Sequence, residues 1–408
     1  MKCRHCGSSI ELVFLDLGTA PPSNSYLTRD DLNKGELWYP LRVLVCENCW
    51  LVQTEDFARP EELFNASYAY FSGFSETWCR HCECYAIGMI DKLGLDEKSL
   101  VVEVGCNDGT LLKYFMERGI PSLGIEPTAS TARACRAKGI TVLEQFFGEE
   151  LAENLFYEGV SADLVVANNV LAHVPKINDF VAGFRVLLKP EGVATFEFPH
   201  LMRLIEYCQF DTIYHEHYSY LSLGTVRRIM DKANLHVFDV EEITTHGGSL
   251  RIYVQRRDGG KYTESLRVED IIEKERAAGL FDARTYESFQ AKVAKVKDDF
   301  LEFLIRAKRD GKVVAAYGAA AKGNTLFNYA GVKKDLVKFV ADKNPAKQGK
   351  FLPGSRIPIL PPEALKEHKP NYVLVIPWNL REEIMEQLAF IRGWGAKFLF
   401  AVPGLEVV

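Results

Sequence analysis

The chain has 408 residues, of which 47% are hydrophobic, 12% aromatic and 25% charged. This average globular composition excludes a disordered, collagen-like or coiled-coil protein, and the length favours two or three domains over one. The 49 basic and 55 acidic residues give a formal net charge of -6 without a basic block, which argues against a nucleic-acid partner. The chain also contains no long apolar run and begins without an export signal, so we expect a soluble, cytoplasmic protein with no membrane partner.

The N-terminal region is rich in turns and contains two Cys-x-x-Cys pairs. Cys3 with Cys6, and Cys46 with Cys49, each place two thiolates on one tight turn, as two corners of a tetrahedral Zn²⁺ site require. Four thiolates leave no position for water, so we expect a structural zinc ion; reduced structural cysteines are the alternative. The later run WCRHCECY has helical spacing but no distant ligand pair, and we interpret its cysteines as buried helix residues.

From about residue 100, apolar strand runs alternate with helical stretches. The runs LVVEVG, IPSLGIEP, ADLVVANN and GVATFEFP predict a βαβ series around a parallel sheet. The first strand leads into the turn G-C-N-D-G, bracketed by Gly105 and Gly109, and then into a helix. This turn lacks the second glycine of the dinucleotide motif, which disfavours NAD. Glu103 before the turn and Glu126 after the next strand suit a ligand with an ammonium group and a ribose diol, such as S-adenosylmethionine.

This part of the sequence resembles the class I methyltransferases, whose first motif reads acidic-x-Gly-x-x-x-Gly. The resemblance implies that the methionine side of the cofactor contacts Glu103, Gly105, Asn107, Asp108 and Gly109. It further implies that Glu126 binds the ribose, that Phe146 or Phe147 contacts the adenine, and that Asn168 also belongs to the cofactor site.

The run FDTIYHEHYSYLS crowds titratable side chains together. Five of them are consecutive: Tyr214, His215, Glu216, His217 and Tyr218. Such a cluster is costly to bury unless function requires it. A metal site is disfavoured because His215 and His217 would point to opposite sides of a strand, and a general base fits better. His173, which follows the run ADLVVANN, should lie near the carboxyl edge of the sheet, where ligands bind in open α/β folds.

A charged helical region from about residue 265 to 309 should bridge domains. A second α/β alternation follows, with strands at KVVAAYG, LVKFVAD, YVLVIP and KFLFAVP. Its first turn, YGAAAKGN, carries Lys322 before a helix, and a helix N-terminus with a nearby ammonium group suits a diphosphate. A tightly packed Ala/Gly turn is the alternative interpretation. The turn lacks the dinucleotide glycine pattern, which makes a nicotinamide oxidoreductase the least favoured function.

Taken together, the motifs resemble the deoxysugar C-methyltransferase family over essentially the whole chain. They are the two Cys-x-x-Cys pairs, YAYFSGFS, EVGCNDG, NNVLAHV, FEFPHL, YHEHYSYLS, HGGSLR and YGAAAKGN. The resemblance implies a multidomain α/β protein with a zinc-binding module at 1–67, a class I methyltransferase domain at 68–264, and bridging helices with a Rossmann-like domain at 265–408. It also implies methylation of a ring carbon, typically C3, of a nucleotide-diphosphate-linked keto-deoxysugar.

By the same resemblance, residues of this chain acquire expected roles. His217 is the base, with Tyr214 and Glu216 beside it, and His173 and Tyr68 face the sugar. The nucleotide-sugar lies between the central and C-terminal domains, with its diphosphate near Gly318, Lys322 and Asn324.

Other functions remain open at this point. An O- or N-methyltransferase would need less activation of a carbon acid, and a regulatory metabolite-binding protein would need no base at all. The nucleotide, the methylated carbon and the residue that stabilises the enolate are not specified by the motifs. Because no heptad pattern or long apolar edge is present, we expect a monomer.

Overall fold

The computed structural model describes residues 1–64 and 71–408. The strands, in chain order, are β1 (Leu12–Ala20), β2 (Tyr39–Val45), β3 (Val52–Thr54), β4 (Val101–Val104), β5 (Ser122–Ile125), β6 (Thr141–Leu143), β7 (Ala162–Asn168), β8 (Leu188–Pro199), β9 (Ser219–Tyr220), β10 (Leu235–Ile243), β11 (Ser249–Arg256), β12 (Val314–Tyr317), β13 (Val340–Ala341), β14 (Ile359–Leu360), β15 (Tyr372–Val375), β16 (Lys397–Phe400) and β17 (Glu406–Val407).

The helices, in the same order, are α1 (Pro60–Leu63), α2 (Glu76–Leu93), α3 (Leu112–Met116), α4 (Ala129–Ala137), α5 (Glu149–Tyr157), α6 (Ile177–Leu187), α7 (Leu201–Glu206), α8 (Leu223–Lys232), α9 (Leu266–Ala277), α10 (Ala283–Glu287), α11 (Phe289–Arg309), α12 (Ala321–Ala330), α13 (Ala364–His368) and α14 (Arg381–Gln387). None of these described helices combines the length and apolar composition needed to cross a bilayer.

The central sheet has seven strands in the order β10-β11-β8-β7-β4-β5-β6. Strand β4 is buried at every position, as expected for a strand covered on both faces. It pairs in parallel with β5 on one side and β7 on the other, so the chain reverses its direction of winding between β4 and β7. Ligands of open α/β sheets bind at this kind of switch point, outside the carboxyl ends of the strands. The predicted α/β alternation is therefore confirmed.

The C-terminal sheet repeats this arrangement with six strands in the order β14-β13-β12-β15-β16-β17. Strands β12 and β15 are parallel neighbours, which places a second switch point after Tyr317 and Val375. Only β17 runs antiparallel among the paired strands of this sheet. The two sheets thus each present one crevice at their carboxyl edges.

The N-terminal sheet is antiparallel, with the order β1-β2-β3-β9. Its fourth strand, β9, comes from far along the chain and lies directly after the titratable run at 214–218. Val52 pairs with Tyr220 and Gln53 pairs with Ser219. The N-terminal sheet therefore holds the end of that run in place.

A shared apolar core joins the N-terminal and C-terminal sheets through the long helix α11. Phe14 of β1 stacks on Phe289 with ring centroids 4.6 Å apart, and Phe300 faces Phe327 of α12. All four rings are buried. Helix α11 contacts both units because its apolar stripe, which includes Phe289 and Phe300, runs along one face of the helix and packs against β1 and α12.

Candidate active site and metal centre

The four predicted zinc ligands converge at one end of the N-terminal sheet. The Sγ atoms of Cys3, Cys6, Cys46 and Cys49 all lie within 4.8 Å of one another. The sulfurs of Cys3 and Cys49 are 3.5 Å apart, as are those of Cys6 and Cys46. Tetrahedral zinc with bonds of about 2.3 Å requires sulfurs about 3.8 Å apart, so the cluster fits the metal. It leaves no position for substrate, which makes the site structural.

The turn after β4 has a backbone that only glycine adopts easily. Gly105 and Gly109 have φ angles of +71° and +73°, in the left-handed region. A Cβ atom on Gly105 would lie 2.4 Å from the side chain of Val170, and one on Gly109 would lie 2.6 Å from the Cys135 sulfur. Both glycines therefore allow the turn to pack closely against its neighbours beside the cleft.

Glu126 is fixed at the end of β5 by two backbone donors. Its Oε2 accepts from the Asn107 N–H and its Oε1 from the Thr128 N–H, each at 2.9 Å. Burial nevertheless raises the pKa of the carboxyl group. Each oxygen retains a lone pair, so the carboxylate can accept further hydrogen bonds from a diol.

Two buried polar groups face this turn without partners among the described residues. Glu103 leaves Oε2 unpaired, and Asn168, at the end of β7, leaves both atoms of its amide unpaired. Burial raises the pKa of Glu103 well above its usual value. Buried polar atoms are nearly always hydrogen-bonded in native proteins. These unpaired atoms therefore indicate a polar ligand at the switch point.

Of the remaining predicted cofactor residues, Phe146 and Phe147 line the cleft, whereas Asp108 does not. Phe147 packs edge-on against Phe180 and Phe184, at 5.6 and 5.3 Å, and Phe146 is partly exposed beside it. Asp108 turns away from the cleft. Its Oδ1 accepts from the hydroxyls of Ser72 and Thr110, so it ties the turn to the segment before α2.

A single cleft with a volume of about 350 Å³ connects the two switch points. It brings together twelve of the residues predicted from the sequence: Glu103, Gly105, Asn107, Glu126, Phe146, Phe147, Asn168, His173, Tyr214, Glu216, His217 and Lys322. Asp108, Gly109, Gly318 and Asn324 do not line it, and Tyr68 lies outside the described residues.

His217 lies in the middle of the cleft with a defined tautomer. Its Nδ1 is 2.8 Å from the carbonyl oxygen of Thr212, and a carbonyl can only accept, so the Nδ1 proton is donated there. The lone pair is therefore on Nε2. Burial, with the neighbouring His173, holds the pKa of His217 well below its usual value. The imidazole is consequently neutral and can accept a proton.

Two rings pack against His217. Tyr214 lies 4.0 Å away and His173 lies 4.6 Å away, measured between ring centroids. His173 donates through Nδ1 to the Glu216 carbonyl at 2.8 Å, and burial lowers its pKa to about 4. His215, by contrast, bonds to the carbonyl of Pro40 outside the cleft.

Glu216 is buried and paired with an amide from the N-terminal unit. The Nδ2 of Asn24 donates to Glu216 Oε2 at 2.6 Å. Burial raises the pKa of Glu216 to about 7, although Asn24 and, more weakly, Lys347 oppose the shift. Both protonation states of this carboxyl group are therefore accessible near neutral pH.

Lys322 reaches the cleft from the first turn of α12. Its Nζ donates to Asn379 Oδ1 at 3.0 Å and lies over the Trp378 ring. Burial lowers the pKa of Lys322, while the carboxylate of Asp211 opposes that shift. The ammonium group is thus held on the wall of the cleft without a carboxylate in direct contact among the described residues.

The other two predicted substrate residues have structural contacts instead. Gly318 packs against Pro377, where a Cβ atom would approach the proline ring to 2.5 Å. Asn324 is buried and donates to the Ser23 carbonyl oxygen. Both residues shape the turn that presents Lys322 to the cleft.

Several cleft residues were not predicted as site residues: Asn24, Thr128, Val170, Thr212, His246 and Lys347. His246 belongs to HGGSLR, so its motif could have drawn attention to it. Asn24 lies on the loop after β1 and Lys347 on the loop between β13 and β14. Only the tertiary fold brings them to the cleft.

Comparisons with known proteins add independent findings. Residues 3–64 match a family model for a zinc binding domain, residues 80–240 one for a methyltransferase domain, and residues 244–403 one for a C-methyltransferase C-terminal domain. The chain is 32% identical over 407 residues to C-methyltransferase NovU from Streptomyces niveus, an alignment that covers 100% of this chain and 96% of NovU.

Solved structures resemble part of the chain. Magnesium protoporphyrin IX methyltransferase (ChlM) from Synechocystis, crystallised with bound SAM, is 15% identical with a TM-score of 0.34, covering 44% of this chain and 79% of ChlM. An S-adenosylmethionine-dependent methyltransferase from Clostridium acetobutylicum is 11% identical with a TM-score of 0.36, covering 45% of this chain and 92% of its own.

Proposed function

The chain belongs to the C-methyltransferase family that includes NovU, and on that premise we propose that it methylates a nucleotide-diphosphate-linked keto-deoxysugar. The methyl donor is S-adenosylmethionine, and the acceptor is a ring carbon next to the ketone, typically C3. The family assignment rests on 32% identity along almost the whole of both chains.

The observation that carries the proposal is the neutral, oriented imidazole of His217. Its Nδ1 proton is committed to the Thr212 carbonyl at 2.8 Å, which leaves Nε2 as a base inside the cleft. A carbon next to a ketone is the sugar carbon that such a base can deprotonate, because the C–H electron pair moves onto the carbonyl oxygen. Methylation of oxygen or nitrogen does not need this activation.

Two residues remain as donors to the developing enolate oxygen. Tyr214 brings a phenol hydroxyl to the cleft, and a carboxyl group with a pKa of about 7 at Glu216 is protonated about half of the time. His173 fits this role less well, because its Nδ1 proton is committed to the Glu216 carbonyl and its pKa of about 4 keeps Nε2 unprotonated. A well-placed donor contributes a few kcal/mol to such a step.

The turn after β4 would hold the methyl donor. S-adenosylmethionine supplies an electrophilic methyl group on a sulfonium, so transfer requires only a carbon nucleophile at the correct distance. The unpaired carboxylate of Glu103 and the unpaired amide of Asn168 suit the ammonium and carboxylate ends of its methionine. Glu126 suits the ribose diol, and Phe146 and Phe147 provide an apolar wall for adenine. These residues fit the group that the family uses.

The proton and electron pairs balance across the reaction. His217 Nε2 takes the proton from the sugar carbon, and the resulting enolate carbon forms a bond to the methyl group. The bond between that methyl group and sulfur breaks, which leaves a neutral thioether and restores the ketone. His217 then returns its proton to water.

The C-terminal end of the cleft would hold the nucleotide diphosphate. Lys322 supplies a cation there, beside the start of helix α12, whose preceding residue makes no side-chain cap to the first turn. Backbone N–H groups at a helix start and an ammonium group favour a phosphate. Gly318 and Asn324 would support this subsite indirectly, by fixing the shape of the turn.

Mass spectrometry tests the proposal directly. The protein is incubated with isotope-labelled methyl donor and a panel of nucleotide-linked 4-keto-sugars, and the site of the label is located by fragmentation. We expect a labelled carbon-bound methyl group, and hydrogen exchange with deuterated solvent at the same carbon when the methyl donor is omitted. A label on oxygen or nitrogen, or no turnover with any member of the panel, would overturn it.

A further inference from the structure

The loop at 22–27 links the N-terminal unit to both other parts of the protein. Tyr26 donates its hydroxyl proton to the Ala319 carbonyl at 2.6 Å, and Leu27 exchanges two backbone hydrogen bonds with Phe351. The Ser23 carbonyl accepts from Asn324. Three separate contacts therefore fix this loop against the C-terminal unit on either side of Asn24.

Asn24 is the member of this loop that reaches the reacting end of the cleft. It lines the cleft directly, and its Nδ2 lies 2.6 Å from Oε2 of Glu216. Glu216 is only 2% exposed, so water cannot replace a lost donor easily. Among the described residues, Asn24 supplies the hydrogen bonds to this carboxyl group, through its side-chain amide and its backbone N–H, and only the first of these depends on the side chain.

We propose that Asn24 is a positioning residue: its amide fixes the orientation of the Glu216 carboxyl group beside His217 and sets the balance between its ionised and protonated forms. This inference rests on the function proposed above. An N–H donor stabilises the ionised form, since a carboxylate accepts more strongly than a neutral acid. The N-terminal unit thus supplies a working part of the reaction site, in addition to a metal-stabilised scaffold.

Other charged and titratable groups around Glu216 bear on the same equilibrium. Lys347 favours the ionised form, and the hydroxyls of Tyr26 and Tyr218 are influenced by the Glu216 charge. His173 and His217 are neutral neighbours. Removal of Asn24 leaves all of these groups in place, so a change in the titration of Glu216 reports the missing amide.

Two variants separate the amide from the shape of its side chain. Asn24→Ala removes the donor, and Asn24→Asp keeps the shape but replaces the donor with a second carboxylate. Infrared spectroscopy of the resting protein follows the titration through the band of the protonated Glu216 carboxyl group. That band is identified by its absence in Glu216→Gln. We expect the midpoint to rise by about one to two pH units in Asn24→Ala, the effect of losing one hydrogen bond to a charged group, and to rise further in Asn24→Asp.

The pH profile of kcat provides a second measurement. The limb of the pH profile that is lost in Glu216→Gln should shift to higher pH in Asn24→Ala, by the same amount as the infrared midpoint. We expect kcat to change more than KM. Thr28→Val is the matched control, because it breaks the Thr28–Asp31 hydrogen bond at the end of the same loop and leaves in place both Asn24 and the Tyr26 hydroxyl that contacts Asn24 Oδ1. Its midpoint should stay within a few tenths of a unit of the parent value.

The two proposals fail in different ways. An unmoved infrared midpoint in both Asn24 variants, or an equal shift in Thr28→Val, would overturn the role of Asn24 even if the enzyme methylates a keto-sugar. The infrared titration needs no substrate, so a shift in the predicted direction supports the role of Asn24 even if the substrate is of another class.

Discussion

The rings of His173 and His217 meet edge to face with their centroids 4.6 Å apart, and each donates its Nδ1 proton to a backbone carbonyl. Burial keeps both imidazoles neutral, because two adjacent charges in an apolar setting would be costly. Both rings therefore carry an unprotonated Nε2, and His217 is the one whose ring also packs against Tyr214. The proposed function assigns the role of base to His217.

Replacing His217 by Asn should abolish methyl transfer and leave binding of the methyl donor unchanged. Loss of a general base typically costs about 10²- to 10⁴-fold in kcat. Calorimetric titration with S-adenosylmethionine checks binding, and steady-state turnover checks the chemistry. His215→Asn is the matched control, because His215 lies two residues away but bonds to the Pro40 carbonyl. Comparable turnover in the two variants would contradict the assignment.

The buried imidazole of His173 should make stability depend on pH. Its pKa is about 4 in the folded protein and about 6.5 in an unfolded chain, so between these values the unfolded state binds the additional proton. Stability from this residue is therefore complete above pH 6.5 and falls as the pH drops towards 4. In urea unfolding at pH 7, 6 and 5, His173→Asn should lose less stability on acidification than the parent. Parallel losses would show that His173 is not neutral when folded.

Removal of the Glu126 side chain should weaken binding of the methyl donor. Glu126→Ala leaves the N–H groups of Asn107 and Thr128 without their acceptor and removes the group that suits a ribose diol. We expect the Kd for S-adenosylmethionine to rise by about 10- to 100-fold, the loss of one or two charged hydrogen bonds. Glu144→Ala removes a carboxylate of the same region that pairs with Arg136 on the surface, and its Kd should match the parent. Equal affinities in both variants would exclude Glu126 from the site.

Replacing Lys322 should weaken binding of the nucleotide-sugar and leave binding of the methyl donor unchanged. In Lys322→Ala we expect KM for the nucleotide-sugar to rise by about 10-fold, as one ammonium–phosphate contact is lost, while the Kd of the methyl donor stays constant. Lys343→Ala provides the comparison, since Lys343 is an exposed lysine of the same domain that does not line the cleft. An unchanged KM in Lys322→Ala would refute the diphosphate proposal.

One zinc ion per chain should be required for stability. Elemental analysis of the purified protein should give a molar ratio near one, and Cys49→Ser should lower both that ratio and the Tm. Structural zinc contributes directly to folding, so a decrease of roughly 5 °C or more is expected. Cys84→Ser changes an exposed, unclustered cysteine and should alter neither value. A full metal content in Cys49→Ser would contradict the four-cysteine site.

Local patterns predicted which residues meet at the β4 side of the cleft. Glu103, Gly105 and Glu126 lie at the ends of adjacent parallel strands, and strand ends can be read directly from a periodic sequence. The same reasoning accounts for Asn168 and His173 after β7. Asp108 was expected beside the cofactor, but it does not line the cleft, and its Oδ1 accepts from Ser72 before α2 and from Thr110 of its own turn.

The arrangement of residues on the opposite side of the cleft depends on contacts between distant parts of the chain, which local patterns do not predict. The turn before α12 was expected to place Gly318 and Asn324 near a diphosphate, yet Pro377 covers Gly318 and the Ser23 carbonyl accepts from Asn324. Asn24 is separated from Glu216 by 192 positions. No local period encodes such a contact, because the two side chains meet only after three sheets have assembled.

The pairing of β3 with β9 has a practical consequence for protein engineering. Cutting the chain at residue 67 and grafting the N-terminal portion of a relative would replace Val52 and Gln53 while leaving their β9 partners, Tyr220 and Ser219, unchanged. A chimera that changes substrate preference should therefore transfer residues 210–222 together with the first 64. The structural unit is discontinuous in sequence. A crossover library built on contiguous blocks would therefore separate its parts.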